Sequence, residues 1–352
     1  MPFTQAEFER GARYQLEYHA KNDPFDQVNT DHPFLRDMIA KKKERIGGNE
    51  YVTENIRVSN DSNFQHYFGK DRVTFNEKDT IEQAKYPWYD FHDGFGLDED
   101  RLAANGINIT DDGETSVVSE AEKIQLVNLI EEQRTTLKLG AMEKLDESLH
   151  LDGTQDPKAA PGLSSIISLT PEVGVVGGID AAENAFWRNI VNTGISTASA
   201  GNLVQEMERA WRAASLYGKR GTPDRIYVGS DFLDAYRKDA LDTINRQLNI
   251  PGRGGTAVDA STTGLFFKGV ELIWDPTFDK LDELYGPFTV PWAKRAYFVN
   301  TKTVMLRPLK GHWMRERKPQ RPIDQYAHFW AVTGKYSFTT NQRNANAVLS
   351  IA

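Results

Sequence analysis

From Ser119 to His150 the sequence reads as one helix. Ser119 and Glu122 form an S-x-x-E capping box, Ile124, Val127, Ile130, Leu137, Ala141 and Leu145 mark one face, and Asp152-Gly153 ends the pattern. At 1.5 Å per residue such a helix is roughly 45 Å long. A helix of that length in a compact domain acts as a spine.

The residues before the spine have no core of their own. Residues 1–49 alternate short helical patches with the breakers Asp23-Pro24, His32-Pro33 and Gly47-Gly48 and read as an N-terminal arm. Over residues 50–97 the pattern turns strand-like: YVTENIRV, a polar and aromatic tip SNDSNFQHYFGK, then DRVTF and AKYPWYDF, together a long hairpin or ribbon. A two-stranded ribbon of that length cannot bury itself, so it is expected to lie against another surface, in the same chain or on a neighbouring subunit. At the tip, Phe64, Tyr67, Phe68 and Lys70 sit between SNDSN and GKD with no local core to enter. They are the expected intersubunit contact.

After the spine comes a loop-rich stretch with a short apolar element at Leu163–Leu169, and then helix and strand alternate. A helix from Asn202 to Tyr217 carries Leu203, Met207, Ala210, Trp211 and Ala214 on one face. RIYVG reads as a buried strand, Ser230 caps a second helix reaching Leu248, and Pro251–Gly255 is a flexible loop. The remaining strands lie in LFFKGVELIWDP, RAYFVNTKTVMLRPL, AHFWAVTGKYSFTTNQ and ANAVLSI. The mixture indicates an α+β fold. There is no internal repeat and no low-complexity segment.

At 352 residues, 39% hydrophobic and 26% charged, the chain has room for two or three domains or one elaborated one. It contains no run of 18 apolar residues and opens on the polar MPFTQAEFERGARYQ, so neither a membrane span nor a secretory signal is expected, and the expected compartment is the cytosol. With no cysteine, disulfides, thiol catalysis and cysteine-ligated metals are excluded. A net charge of −8 argues against wholesale nucleic-acid wrapping. Two basic clusters, Lys41-Lys42-Lys43 with Arg45 and the stretch Arg307–Arg321, read as solvated faces or as contacts to acidic neighbours in an assembly.

The chain carries few signs of chemistry. The seven histidines are scattered and none forms an H-x-x-x-H, H-E-x-x-H or H-x-H pair, so no metal centre is expected. Serine-hydrolase, P-loop and dinucleotide-binding motifs are absent, so neither an enzyme nor a bound cofactor is expected. Asp111-Asp112-Gly113 lacks the alternating ligands of a calcium loop and reads as a turn. The aromatics Tyr86, Trp88, Tyr89, Phe91 and Phe95 stand among aspartates rather than lysines and arginines, which favours packing over stacking on nucleic acid. The glycine-rich VGVVGGIDAAENAFWRN leaves two readings. Gly174, Gly177 and Gly178 either cradle a phosphate or turn the chain sharply, with Trp187 and Arg188 anchoring the far side of the turn. Asp180 soon after the last glycine opposes an anion.

Four strings taken in order carry a resemblance: AKYPWYDFHDGFGLDEDRLAANG (84–106), LDGTQDPKAAPGLSSIISLTPEVGVVGGIDAAENAFWRN (151–189), PDRIYVGSDFLDAYR (223–237) and YFVNTKTVMLRP (297–308). Together they resemble the major capsid proteins of tailed bacteriophages, which share the Hong Kong 97 fold. The second string is the most specific, and the resemblance spans about residues 50–350.

The resemblance implies an N-terminal arm (1–49), an extended loop (50–97), a peripheral domain (98–189) holding the spine helix 119–150, an axial domain (190–296), and strands returning to the peripheral domain (297–352). It makes Gly174, Gly177, Gly178, Trp187 and Arg188 the crossover between peripheral and axial domains, with no phosphate required. It implies a virion protein assembled in the host cytoplasm, forming pentamers and hexamers of an icosahedral shell around double-stranded DNA. Scaffolding and portal proteins are implied as assembly partners, with a decoration protein as a further one. The lysine–asparagine cross-link of the fold's namesake is not expected: Lys70 and Lys78 offer amines and Asn341, Asn344 and Asn346 amides, but no acidic residue comes after Asp324. Rival readings are an encapsulin-like nanocompartment shell, a tail or baseplate protein, and a phosphate- or nucleotide-binding enzyme using Gly174–Gly178.

Overall fold

A computed structural model describes residues 30–47, 49–60, 62–77, 80–98, 100, 120–199, 201–216, 222–243, 265–320 and 327–352. The capping residue Ser119, the Asp111-Asp112-Gly113 turn, the Pro251–Gly255 loop, Lys78 and residues 1–29 lie outside them. In chain order the elements are α1 (Pro33–Ala40), β1 (Tyr51–Arg57), β2 (Ile81–Pro87), β3 (Tyr89–Asp98), the spine α2 (Glu120–His150), α3 (Leu163–Ile166), β4 (Val175–Val176) and β5 (Ile179–Asp180). Next come β6 (Ile190–Ile195), α4 (Asn202–Leu216), β7 (Arg225–Val228), α5 (Ser230–Thr243), β8 (Phe266–Phe267), β9 (Val270–Trp274) and α6 (Pro276–Tyr285). The last strands are β10 (Arg295–Val299), β11 (Val304–Pro308), β12 (Arg315–Gln320), β13 (Ala327–Thr340) and β14 (Ala347–Ile351). The chain divides into two compact units.

The larger unit takes in residues 31–90, 145–310 and 335–352. Its centre is a six-stranded mixed sheet in the order β6-β14-β10-β7-β9-β8. The strands RAYFV and AVLSI are buried at every position, the signature of a sheet covered on both faces. On one face Ile226, Val228, Ala296, Phe298, Ala347 and Leu349 meet the apolar stripe of α4 and the side chains Phe232 and Tyr236 of α5. Because successive strand residues point to opposite faces, Tyr227 and Tyr297 project the other way. There Phe34 of α1 packs edge-on to Tyr227 at 5.3 Å, Phe278 of α6 meets Tyr297 at 5.7 Å, and Trp292 stacks on Tyr297 at 5.6 Å.

Two local readings change here. The segment Pro33–Ala40, which reads in sequence as part of an arm without a core, forms a helix whose Phe34, Leu35 and Met38 are buried. Asp37 holds it to the sheet by accepting from Arg225 Nε at 2.7 Å and from the Tyr227 hydroxyl at 2.9 Å. Helix α6 has no counterpart among the sequence expectations. Asp275 caps it by accepting from the Thr277 N–H at 3.1 Å, with Pro276 in its first turn.

The smaller unit includes residues 91–144 and 311–334. Within it β12 pairs antiparallel with β13, and β3 joins the other edge of β13. Glycines make room for aromatics across these strands: a Cβ on Gly334 would collide with the Phe91 ring, and one on Gly96 would stand 2.9 Å from Phe329. Phe95 stacks on Trp330 at 5.4 Å. Lys138 of the spine reaches Glu316 on β12 at 2.7 Å, and Arg134 pairs with the same carboxylate. The expected 50–97 ribbon is therefore shorter than its pattern. Only β1 and β2 pair as a hairpin, because Pro87 offers no N–H to continue the ladder, and β3 pairs with β13 instead.

Candidate functional site

The β1–β2 ribbon buries one face and leaves the other to solvent. Alternation puts Val52, Ile56, Ala84 and Tyr86 on the same side, where they form a small core with Val176, Ile179 and Trp187. Tyr86 donates its hydroxyl to the Thr340 carbonyl at 2.7 Å. At one edge Glu54 accepts from Arg45 at 2.8 Å and from Arg307 at 2.7 Å, so two of the basic residues of the sequence clusters are paired within the chain.

The surface that receives the ribbon is the glycine stretch itself. Strands β4 and β5 form a minimal antiparallel hairpin in which Val176 faces Ile179 and the two loop residues are Gly177 and Gly178. Both glycines have positive φ, +63° and +80°, as a two-residue hairpin turn of the primed type requires. Gly177 has a second reason to be glycine. Its carbonyl accepts from Lys85 N–H at 2.8 Å, and a Cβ there would stand 2.9 Å from Ala84 Cβ and from the Tyr86 ring. Gly174, at φ +100°, opens the hairpin, its carbonyl accepting from Ala181. The element after Gly178 is a strand and not a helix N-terminus, so the turn lacks the geometry of a phosphate cradle.

Trp187 and Arg188 lock this hairpin from behind. The Trp187 indole donates to the Val176 carbonyl at 2.9 Å, and Arg188 donates to the Ala181 carbonyl at 2.7 Å and the Ala182 carbonyl at 2.9 Å. Two residues on, the chain enters β6 at the edge of the six-stranded sheet. A residue that sequence reasoning missed completes the lock. Arg343, only 1% exposed, donates to the carbonyls of Ile166 and Trp187 at 2.8 and 2.9 Å. Nothing local in NQRNAN marks it.

Beyond the ribbon, residues 58–80 form a long excursion with no strand among its described residues, closed at its base by Val58 N–H donating to the Thr80 carbonyl at 3.0 Å. Asn63 and Gln65 bond to Thr74 across it. The tip turns at Gly69, φ +54°, where the Phe68 N–H donates to Asp71 Oδ2 at 3.0 Å. Its aromatics face solvent: Phe64 is 74% exposed, Tyr67 70%, Phe68 89% and Phe75 93%, with Lys70 exposed beside them. A loop of this length carrying that much bare aromatic surface is unusual unless something covers it. Of the amides considered for cross-linking, Asn346 is fully engaged, its Oδ1 accepting from Asn300 N–H at 2.8 Å and its Nδ2 donating to the Gln342 carbonyl at 3.0 Å.

In sequence, no family model and no curated protein matches the chain. In structure, many solved chains do. The cyanophage A-1(L) capsid asymmetric unit aligns with a TM-score of 0.63 at 14% identity, covering 94% of this chain and 95% of that one. The capsid of Myoviridae phage XM1 aligns at 0.54 and 12%, covering 100% and 99%, and the capsid of a native GTA particle at 0.54 and 10%, covering 95% and 96%. At such identities the likeness speaks for fold, and it spans nearly the whole of each partner: the chain has the α+β capsid fold of the Hong Kong 97 type.

Proposed function

We propose that this chain is a non-enzymatic major capsid subunit of a tailed phage. It assembles as pentamers and hexamers into an icosahedral shell that encloses double-stranded DNA, with scaffolding and portal proteins as assembly partners and the virion as its final location. The observation that carries the reading is the 58–80 excursion. Phe64, Tyr67, Phe68 and Phe75 lie bare on a loop whose base is packed in cis, which is the arrangement of a segment built to be covered by another subunit. The full-length likeness to chains taken from phage and GTA capsids supports the same reading. The acidic net charge of −8 fits a shell that contains DNA without gripping its sequence. Size-exclusion chromatography and electron microscopy of the purified chain, alone and co-expressed with its scaffold and portal, test this. Closed particles are the expected product. Persistent monomers of 39.8 kDa under both conditions, or open tubes, would overturn it.

A further inference from the structure

Three side chains from two distant stretches converge on one point of the larger unit, and a fourth, His32, touches one of them. Asp146 and His150 stand one turn apart at the end of α2, Asp275 caps α6, and His32 precedes α1. Asp146, His150 and Asp275 are completely buried, and each offers a ligand atom within 4.8 Å of the others. His150 Nε2 lies 3.2 Å from Asp275 Oδ2, and His32 Nδ1 lies 3.2 Å from Asp146 Oδ2.

Second contacts fix the orientation of His150 and Asp275. His150 Nδ1 sits 2.8 Å from the Asp146 carbonyl and donates to it, so in a neutral ring the lone pair is on Nε2. An imidazole anchored through its other nitrogen on a carbonyl is the usual posture of a metal-bound histidine. Asp275 accepts from Thr277 N–H with one oxygen and faces His150 with the other, while the Thr277 hydroxyl donates to Asp146 Oδ2 at 2.6 Å. Asp146 Oδ1 is buried with no hydrogen-bond partner, its ion-pair neighbour being His150 Nδ1 at 3.7 Å, a nitrogen already committed to the Asp146 carbonyl. Phe34, Phe278 and Trp292 wall the cluster with rings 4.7, 5.4 and 6.0 Å from the imidazole.

We propose that Asp146, His150 and Asp275 form a binding site for a divalent transition cation of the zinc class, with His32 at its rim against Asp146. A cation about 2.0–2.1 Å from two atoms held 3.2 Å apart subtends roughly 100°, close to tetrahedral. One imidazole nitrogen and two carboxylate oxygens with a fourth position open suit zinc and disfavour magnesium or calcium, which prefer all-oxygen shells. Two carboxylates also cancel the charge of a dication, leaving the buried cluster neutral. His32, 12% exposed in its side chain, is the rim through which the ion enters. The loaded site ties the segment before α1 to the end of the spine and to the start of α6. The competing occupant is a proton: burial alone would lower the His150 pKa, but Asp146 and then Asp275 push it up to about 9. Paired histidines do not mark this site in sequence, because Asp146-x-x-x-His150 is the local pair and its partners lie more than a hundred residues away.

The test uses the full-length unassembled chain, so it stands apart from the shell reading. Metal content is measured by inductively coupled plasma mass spectrometry, and melting of chelator-treated protein is followed with zinc and, as control, magnesium. About one zinc per chain and a melting temperature raised by several degrees by zinc but not magnesium are expected. His32→Gln at the rim keeps the fold and should weaken zinc binding by roughly tenfold or more. His150→Gln should abolish binding. Wild-type protein without zinc and without a zinc-dependent shift overturns the proposal, as does zinc bound equally well by His32→Gln and the wild type.

Discussion

Arg343 donates to the backbone carbonyl of Trp187 at 2.9 Å, and each of the two residues is 1% exposed. Its guanidinium also reaches the Ile166 and Ser165 carbonyls and the Asn189 side-chain oxygen. All of these oxygens are uncharged, so the buried cation is solvated by dipoles, and burial pushes its pKa down to about 10. The fork of donors holds α3, the Trp187 anchor and the entry to β6 in one register. Replacing Arg343 with Leu leaves these carbonyls unanswered and should destabilise the chain by about 2–4 kcal/mol. Lysine offers no planar fork and should recover only part of that. Urea unfolding of the monomer measures both, and an unchanged midpoint for Arg343→Leu would refute the role.

The two turn glycines are expected to respond differently to the same change. Gly178, at φ +80°, has open space where a Cβ would go, so Gly178→Ala costs only the left-handed strain, about 1 kcal/mol. Gly177 has similar strain and also the Ala84 and Tyr86 contacts at 2.9 Å, so Gly177→Ala should cost about 2–4 kcal/mol and loosen the ribbon base. Thermal melts of the two variants give the order. Equal effects would mean that the ribbon does not sit on this turn in solution.

Asp224 links the segment after α1 to the turn between β10 and β11. It accepts from Lys41 Nζ at 2.8 Å and from the Thr301 N–H at 2.8 Å and hydroxyl at 2.6 Å. Burial alone would raise its pKa, but the Lys41 and Thr301 hydrogen bonds outweigh that and hold it below the ordinary carboxylate value. A carboxylate with a lowered folded pKa stabilises fully above its unfolded value, about 3.9, and loses that contribution as pH falls through the folded one. Lys41 is 39% and Asp224 30% exposed, so screening keeps the effect near ~1 kcal/mol. Asp224→Asn should therefore lower stability by about that amount at pH 7, with the gap to wild type closing below pH ~4. A gap that stays constant through that range would rule out the ion pair as its source.

The parts legible from sequence are those whose signal is local. The α4 stripe and the buried strands announce themselves by period, and α4 runs from Asn202 as its pattern indicates. Of the face expected for the spine, Leu137, Ala141 and Leu145 are buried, and the side chains of Ile124, Val127 and Ile130 lie outside the described ones. Asp275-Pro276 is also a local signal, a cap followed by a first-turn proline, but the strand pattern of LIWDP masks it. Val176-Gly177-Gly178-Ile179 carries the mark of a two-residue hairpin, which a glycine-rich phosphate loop resembles closely enough to hide. Arg343 and the Asp146–His150–Asp275 cluster have no such signal. Their partners are assembled by the fold, and a lone arginine or histidine looks the same in sequence whether it is solvated or buried.

The tip aromatics should act between subunits and not within one. Phe64, Tyr67 and Phe68 are mostly exposed, and among the described residues the ring contact of Phe64 is with His66 at 4.8 Å, two residues away. Removing them therefore takes nothing from the monomer core. Burying one such ring at an interface contributes roughly 1.5–3 kcal/mol, and a closed shell repeats the gain at every subunit. The triple variant Phe64→Ser, Tyr67→Ser, Phe68→Ser should fold and melt as the wild-type monomer does, by circular dichroism, while shell yield or shell melting temperature falls. Shells of unchanged yield and stability would show that the tip stays bare after assembly. A monomer that itself loses several kcal/mol would show that the loop packs in cis.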